Sequence, residues 1–431
     1  MSRAAVLTVT DRGLYCEAGD FHVDPWRPVP RAVITHAHAD HARPGHGAYL
    51  ATRAAAPVMR HRLGAIRLDT LAWGERLRIG AANVSLHPAG HVPGSAQVRI
   101  EVGGEVWVVS GDYKTEADGL SEAFAPMRCD VFVSECTFGL PVYRWAPQAA
   151  VLGDLLAWWA ACRDAGRTAA VGVYALGKAQ RVMAGLAALA GGRGDLPGPI
   201  LTHGAVEGVT EVLRAQGYAL PATRPVTDLG AGRLPPGALV LAPPAALSGS
   251  WIRRLGQVET AIVSGWMRLR GVRRRRGTAR GFVLSDHADW EGLNTAIDAT
   301  GAARVLVTHG YTAAFRRWLS EKGLQAGIVT TEYAGEEGAD AAADEAGHSP
   351  GTGPEASPQE PRNTAAGAEP ETGCDTGSDP DPDPEPRPGT RSFRDNGHGP
   401  LGVPVSGAGL SRRPLSGPDG ASGGAGTGKK G

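Results

Sequence analysis

Three histidines and one aspartate lie within six residues, in the segment His36-Ala37-His38-Ala39-Asp40-His41. The segment follows the apolar, β-branched run 33–35, so it is expected at the end of a β-strand. Alternation along that strand end puts His36 and His38 on one side, whereas Asp40 and His41 turn with the loop. Imidazole and carboxylate groups bind Zn²⁺ and similar cations. Four such groups can serve two neighbouring metal ions, so the segment predicts a hydrolytic metal centre.

Three further candidate ligands, His91, Asp112 and His309, each end an apolar strand-like run and have a glycine beside them. A single histidine after a strand is more often structural than a metal ligand. The position at a strand end, shared with His36, favours a common site for all of them. Asp112 can bridge two cations because a carboxylate has two oxygen atoms to share.

The elements that must position these residues are short apolar runs alternating with amphipathic stretches, which predicts an α/β fold. Strands are expected at 32–35, 84–86, 97–102, 105–110, 131–134, 169–173, 238–241, 261–264, 281–284 and 304–307, and helices at 152–165, 178–190 and 312–321. Gly103-Gly104 predicts a hairpin turn between two of these strands. The block 142–271 is more helical and lacks the histidine clusters that flank it, so it predicts a separate lobe.

The balanced overall charge conceals a basic body and an acidic tail. The chain has 44 basic and 44 acidic residues, but 335–431 holds 16 acidic and eight basic ones together with 35 Gly or Pro. This composition cannot bury enough apolar surface to offset chain entropy, so a disordered tail is predicted. The remainder, 1–334, holds 36 basic and 28 acidic residues, a balance that favours a polyanionic partner.

Several other classes of protein are not expected from this sequence. No apolar run reaches the roughly 18–20 residues of a membrane span, so no membrane partner is predicted. The N-terminus has no signal-peptide core. Five cysteines without a C-x-x-C pair make a disulfide framework or a cysteine zinc site unexpected, and they favour a cytoplasmic location.

The histidine box 36–41, His91, Ser110-Gly111-Asp112 and His309 resemble the metallo-β-lactamase superfamily, in matching order. Three segments are similar to motifs of its β-CASP nucleases: Ser134-Glu135-Cys136-Thr137-Phe138-Gly139, Ser285-Asp286-His287-Ala288-Asp289 and Val307-Thr308-His309-Gly310. Residues 7–333 look most similar to bacterial ligase-associated DNA exonucleases, which are also described as mRNA 3′-end processing factor-like. Cues for that subgroup are Gly19-Asp20-Phe21, Asp24-Pro25-Trp26, Ser110-Gly111-Asp112-Tyr113-Lys114, Leu176-Gly177-Lys178-Ala179-Gln180-Arg181 and Ser264-Gly265-Trp266-Met267.

The resemblance implies an αββα sandwich with an inserted β-CASP lobe. Its first part would be 1–141, the lobe 142–271 and its last part 272–334, followed by the disordered tail 335–431. It implies two Zn²⁺, one held by His36, His38 and His91, the other by Asp40, His41 and His309, with Asp112 bridging. Mn²⁺ suits the same ligands. Asp40 and Asp112 would also count as catalytic, with His287 protonating the leaving oxygen and Asp24 and Glu135 orienting ligand imidazoles.

Residues that could contact nucleic acid are weaker candidates, because a run of charge is usually only a solvated face. Arg273, Arg274, Arg275 and Arg276 precede the strand that leads to His287, and guanidinium groups match phosphate well. Lys178 lies in a segment that nearly spells a phosphate-binding loop. Ala179 stands where that motif needs Ser or Thr, so an NTPase is rejected and Lys178 is expected to face a phosphate at a helix start.

The function implied is a two-metal phosphodiesterase acting on DNA ends, an exonuclease in repair beside a DNA ligase and a helicase. An RNA-processing nuclease is the alternative, because the RNA members of the family share the final histidine motif at His309. A small-molecule hydrolase could use the same metal box, but it would need neither the middle lobe nor His287. A non-catalytic scaffold also stays open, since some members of the family have lost ligands, although all seven proposed ligands are present here.

Overall fold

The structure is a computed structural model that describes residues 5–191, 196–229, 234–271 and 280–331. All of them fall in one compact unit, Met1–Pro354, whereas the second unit, Glu355–Gly431, lies outside the described residues. The predicted tail and the four arginines at 273–276 also lie outside them, so both interpretations stay predictions. Among the described residues, no helix combines the length and apolar character needed to cross a bilayer.

The first sheet is built from short, mostly buried strands near the N-terminus. Its described strands lie in the order β1 (Thr8–Thr10), β2 (Gly13–Cys16), β3 (Phe21–Val23), β4 (Ala32–Val33), β5 (Tyr49–Thr52) and β6 (Leu68–Leu71). The pairs β1–β2 and β2–β3 are antiparallel, and the pairs from β3 to β6 are parallel. Parallel neighbours need a crossover connection, and α1 (Ala56–Leu63) supplies it between β5 and β6.

The second sheet contains the strands on which most of the predicted ligands depend. Its described strands lie in the order β19 (Gln325–Ile328), β18 (Arg304–Thr308), β11 (Val131–Glu135), β10 (Glu105–Val109), β9 (Ala96–Val102), β8 (Ala82–Pro88) and β7 (Arg76–Ile79). β9 and β10 form the predicted hairpin, in which Val102 pairs with Glu105 across the Gly103-Gly104 turn. β10, β11 and β18 are parallel neighbours, so their carboxyl ends meet at one edge.

The third sheet is parallel throughout its described pairs and is made by the middle of the chain. Its strands lie in the order β14 (Thr223–Pro225), β13 (Ile200–Thr202), β15 (Leu239–Ala242), β12 (Thr168–Gly172), β16 (Val258–Val263) and β17 (Arg280–Phe282). β17 lies beyond residue 271, the boundary expected from sequence, because the chain pairs once more with this sheet before it continues to His287.

The described helices that follow α1 lie either in the middle region of the chain or near the C-terminal end of the described residues. Those of the middle region are α2 (Gln148–Asp164), α3 (Lys178–Leu189), α4 (Gly204–Ala215) and α5 (Ser250–Arg253), with 3-10 turns at Val226–Leu229, Pro244–Leu247 and Gly265–Arg268. α6 (Trp290–Thr300) and α7 (Thr312–Glu321) follow near the C-terminal end of the described chain. Asp289 caps α6 by accepting a hydrogen bond from Gly292 N, which satisfies one of the free amides at the helix start.

Separate buried clusters show how the layers pack. One cluster joins the facing surfaces of the first and second sheets, with Val23 and Val33 from one and Trp107 and Val133 from the other. A second covers the outer face of the second sheet with residues of α6 and α7. A third covers the outer face of the first sheet with residues of α1 and α4. The order is therefore helices, sheet, sheet, helices, while a fourth cluster joins the third sheet to α2 and α3.

The α/β class predicted from sequence is confirmed, and most predicted strands are found within one or two residues of their expected ends. Strands β1–β3, β5–β7, β13, β14 and β19 were not predicted. They are short or partly exposed, and β6 (Leu68–Leu71) and β7 (Arg76–Ile79) carry too few apolar side chains to signal a strand on their own.

Candidate metal centre

Five of the predicted site residues reach one place because of where their strands end. Asp112 follows β10, Glu135 is the last residue of β11 and His309 follows β18, and these three strands are parallel neighbours. The segment beginning at His36 follows β4 of the facing sheet, and His91 lies in the connection between β8 and β9. His309 takes a left-handed conformation with φ 58°, which turns the chain out of the strand and is uncommon outside glycine.

Asp112 lies at the centre of the cluster. Its Oδ2 atom is 3.4 Å from His41 Nε2, 3.6 Å from His36 Nε2 and 3.9 Å from His91 Nε2. Its Oδ1 atom is buried and has no hydrogen-bond partner among the described residues. A buried carboxylate oxygen without a donor is costly unless something else satisfies it, and a cation is a suitable partner.

The nitrogen and oxygen atoms of the cluster fall into three groups, within each of which all ligand atoms lie within 4.8 Å of one another. The groups are His36, His38, His91 and Asp112; His41, Asp112 and His309; and Asp112, Glu135 and His287. Asp112 belongs to all three. This donor set of imidazole nitrogens and one carboxylate is the kind that borderline divalent cations take, so the cluster can bind metal ions.

Asp40 is placed at the margin of the cluster. Its Oδ2 atom is 3.8 Å from His41 Nε2, and the residue is buried. It is not a member of the three groups above. The structure therefore puts Asp40 beside the group that contains His41 and His309, at a longer range than Asp112.

Partners of the second ring nitrogen fix the orientation of two of these imidazoles. His41 Nδ1 is 2.8 Å from Asp24 Oδ2, so His41 Nε2 faces Asp112. Asp24 is itself held by Thr35, whose backbone N donates to Oδ1 at 2.8 Å and whose hydroxyl donates to Oδ2 at 2.6 Å. His91 Nδ1 donates to the backbone carbonyl of Asp286 at 2.8 Å. Such outer contacts set the tautomer and the direction of a metal-binding histidine.

Glu135 orients His287 in the same manner. His287 Nδ1 lies 2.9 Å from both carboxylate oxygens of Glu135, and both residues are buried. Glu135 also accepts hydrogen bonds from the backbone N of Tyr113, at 2.8 Å, and from the hydroxyl of Thr137. The rings of His287 and His91 are 4.7 Å apart, so His287 stands at the edge of the first group.

Burial sets the charge of four of the predicted ligands. It lowers the pKa of His36, His38, His91 and His309, which favours their neutral form, the form in which an imidazole binds a cation. Burial also lowers the pKa of His41, but the carboxylates of Asp112, Asp40 and Asp24 outweigh it and raise that pKa well above its usual value. Burial raises the pKa of Asp112, and the opposing charge of His41 outweighs it and lowers that pKa well below its usual value.

Gly111 allows Asp112 to reach the centre. Its φ is +56°, and a Cβ atom there would lie 2.6 Å from the Cβ of Thr35. We expect Gly111→Ala to lower the free energy of unfolding by roughly 2–4 kcal/mol, because a left-handed residue with a side chain is strained and the added methyl collides with Thr35. Gly119 is the matched control, since it has φ +80° but nothing within 4 Å. When both variants are unfolded in urea, Gly119→Ala should lower the free energy of unfolding by only about 1–2 kcal/mol. Equal losses in the two variants would show that the collision with Thr35 does not contribute.

Lys178, the other residue predicted to contact phosphate, is fully buried. Its Nζ atom is 3.5 Å from Asp286 Oδ2 and lies 4.5 Å from the centroid of the Tyr174 ring. In this structure its ammonium group therefore faces an internal carboxylate and an aromatic ring rather than solvent.

Sequence reasoning assigned no role to several residues that support the site. Thr35 holds Asp24, and Arg181 donates to Asp286 Oδ1 at 2.8 Å. Asp286 supplies the carbonyl that orients His91. The only signal for them in the sequence was their position inside or beside the quoted motifs.

Three proteins of known name share sequence with the chain, whereas no family model matches it. A probable DNA ligase from Opitutus terrae is 33% identical over 320 residues, which is 73% of this chain and 30% of that protein. Ribonuclease TTHA0252 from Thermus thermophilus is 33% identical over 149 residues, 28% of this chain and 34% of the ribonuclease. Endoribonuclease YSH1 from Yarrowia lipolytica is 29% identical over 119 residues, 27% of this chain and 14% of the endoribonuclease. The chain thus spans about a third of the length of the first two relatives.

Proposed function

We propose that the protein is a metal-dependent nuclease of the β-CASP group within the metallo-β-lactamase superfamily, with the αββα sandwich of that superfamily and a β-CASP lobe at 142–271. The observation that carries this proposal is the position of Asp112, whose buried carboxylate is shared by two groups of histidines. The layer order of helices, sheet, sheet and helices supports it. So do relatives named as nucleases and as a DNA ligase.

The residues that would hold two Zn²⁺, or Mn²⁺ in their place, are His36, His38 and His91 for one ion and Asp40, His41 and His309 for the other, with Asp112 shared. When bound, such ions provide a nucleophile at neutral pH and neutralise charge that develops on a phosphodiester. Asp24 would keep His41 aimed at the centre, and the Asp286 carbonyl would do the same for His91.

His287 is the group in the site that can move a proton to the leaving oxygen. Glu135 holds its Nδ1 atom at 2.9 Å, so the opposite nitrogen, Nε2, points away from that carboxylate. The Glu135 carboxylate would also stabilise the imidazolium form, which must carry the proton before it is delivered. This pair is a reason to favour phosphodiester hydrolysis over a small-molecule reaction that needs no acid.

DNA is the proposed substrate, because the relative matched over 320 residues is named as a probable DNA ligase. We infer that the chain is a DNA exonuclease of a repair system, working beside a DNA ligase and a helicase in the cytoplasm. The second candidate is an RNA-processing nuclease of the mRNA 3′-end type. It is favoured by the names of the ribonuclease and endoribonuclease relatives, although each matches less than a third of the chain.

A panel of labelled substrates tests the proposal. We expect linear single- or double-stranded DNA to be degraded with Zn²⁺ or Mn²⁺, while a closed circle of the same sequence with an internal label stays intact and EDTA stops the reaction. Cleavage of single-stranded RNA with DNA spared would replace the first candidate by the second. Absence of cleavage on every substrate and with both metals would overturn the nuclease proposal.

A further inference from the structure

Five charged residues form a buried network beside the metal centre. Three are cationic, Lys114, Lys178 and Arg181, and two are anionic, Asp118 and Asp286, and all five are buried. Removing so many charges from water is costly unless each one is paired and hydrogen-bonded. A network of this kind holds its members in one arrangement, because any other would leave a charge without a partner.

Arg181 is the member that joins the parts of the network. From helix α3, its Nη1 atom donates to the backbone carbonyl of Ser285 at 2.5 Å and to Asp286 Oδ1 at 2.8 Å. Its Nε atom donates to Gln148 Oε1, on helix α2, at 2.6 Å. Gln148 thus fixes the guanidinium group on one side, and the guanidinium group holds the turn at 285–286 in place on the other.

That turn controls the direction of two predicted site residues. The Asp286 carbonyl accepts the hydrogen bond from His91 Nδ1 at 2.8 Å, and the Ser285 hydroxyl accepts one from the backbone N of His287 at 3.0 Å. The hydrogen bond from His91 depends on the place of the turn that Arg181 clamps, and the hydrogen bond within the turn makes His287 move with it. A small shift of the turn would rotate the His91 ring and displace His287.

The same network reaches the connection that follows Asp112. Lys114, two residues beyond Asp112, pairs with Asp118, and Arg181 Nε lies 3.9 Å from Asp118 Oδ2. Gln148 Nε2 donates to the backbone carbonyl of Asp118 at 2.9 Å. The α2–α3 pair of helices is therefore tied both to the turn before His287 and to the loop after Asp112.

We propose that Arg181 is a positioning residue, which acts from the helices of the third sheet to hold His91 in its metal-binding orientation and His287 in reach of substrate. This inference rests on the proposed function for the part that concerns His287. The part that concerns His91 needs only metal binding, so it can be tested apart from any nuclease activity.

The test compares full-length wild type with Arg181→Met and Arg181→Lys. Zn²⁺ is titrated into metal-free protein by calorimetry, and kcat and KM are measured on linear DNA. Arg214→Met is the matched control, because Arg214 makes an ion pair of 3.2 Å with Glu207 and hydrogen bonds to Pro221 and Thr223. Both methionine variants should lose thermal stability, so stability alone does not separate the two arginines.

We expect Arg181→Met to weaken Zn²⁺ binding roughly 10- to 100-fold, the range for loss of an outer contact of a metal ligand. Its kcat should fall by at least a similar factor with KM little changed, and Arg214→Met should alter both by less than about twofold. Arg181→Lys keeps the charge but cannot bridge Gln148 and the turn together, so it should lie between wild type and Arg181→Met. If Arg181→Met does not fold, Arg181→Lys provides the comparison with wild type in its place.

Wild-type Zn²⁺ affinity in both Arg181 variants, or an equal loss in Arg214→Met, would overturn the inference while leaving the nuclease proposal intact. If wild type binds Zn²⁺ but cleaves no nucleic acid, while only the Arg181 variants lose Zn²⁺ affinity, the inference stands and the proposed function is wrong. Absence of Zn²⁺ binding in wild type would overturn the inference directly.

Discussion

Asp112→Asn is expected to reduce nuclease activity by roughly 10³-fold or more. The amide matches the carboxylate in size but has one acceptor oxygen and no charge. Asp112 belongs to each group of candidate ligands, and its Oδ2 atom lies within 4 Å of three histidines. The substitution therefore weakens both halves of the centre at once, whereas loss of one histidine would weaken only one.

Metal content and activity should fall together in this variant, as measured by elemental analysis after dialysis against Zn²⁺ and by cleavage of linear DNA. Asp69→Asn is the matched control, because Asp69 is an exposed aspartate in strand β6. It should keep the metal content and activity of wild type. If Asp112→Asn retained its full metal content and more than a tenth of the activity, Asp112 would not be the shared ligand.

His287→Ala is expected to lower kcat on DNA by about 10²- to 10⁴-fold, the usual contribution of a general acid. Its metal content should stay that of wild type, because the ring is held by Glu135 and stands outside the two groups built on His36 and His41. The competing possibility is that His287 is a ligand, since it forms a third group with Asp112 and Glu135. Loss of bound metal in His287→Ala would favour that possibility over the general acid.

The leaving group provides a second test of the same role. A p-nitrophenolate ion departs without being protonated, so His287→Ala should be nearly as active as wild type on a p-nitrophenyl phosphodiester while remaining slow on DNA. His61→Ala is the control, because His61 is an exposed histidine on helix α1. An equal deficit on both substrates would argue for a purely structural role of His287.

The residue types of the candidate metal centre could be predicted from the sequence, because the chemistry of such a site depends on the side chains that form it. Three histidines and an aspartate in six residues at a strand end form a dense set of groups that can bind a metal ion, so they predict a metal site. The strands that carry Asp112, Glu135 and His309 were predicted from their β-branched runs, and the structure has them as β10, β11 and β18. That these strands are parallel neighbours, and so bring their ends together, was decided by the tertiary fold.

Some interpretations of single residues depended on context that a sequence does not contain. Lys178 reads as a phosphate contact because it opens a helix after a glycine, yet it lies inside beside Asp286. Asp40 reads as an equal member of the histidine box, yet it lies 3.8 Å from His41 and outside the groups that Asp112 organises. In both cases the local pattern does not determine which groups the fold places beside the side chain.

The sequence by itself determined the α/β class, the kinds of candidate ligand and the segments that supply them, because periodicity and residue type are local properties. Only the tertiary structure decided how those ligands are aimed. His91 is oriented by the backbone carbonyl of Asp286, and backbone carbonyls are the same in every residue. Arg181 and Asp286 are 105 residues apart, and their pairing exists only because helix α3 packs against the turn before His287. Contacts of this kind follow from packing over long distances in the chain, and no local pattern encodes them.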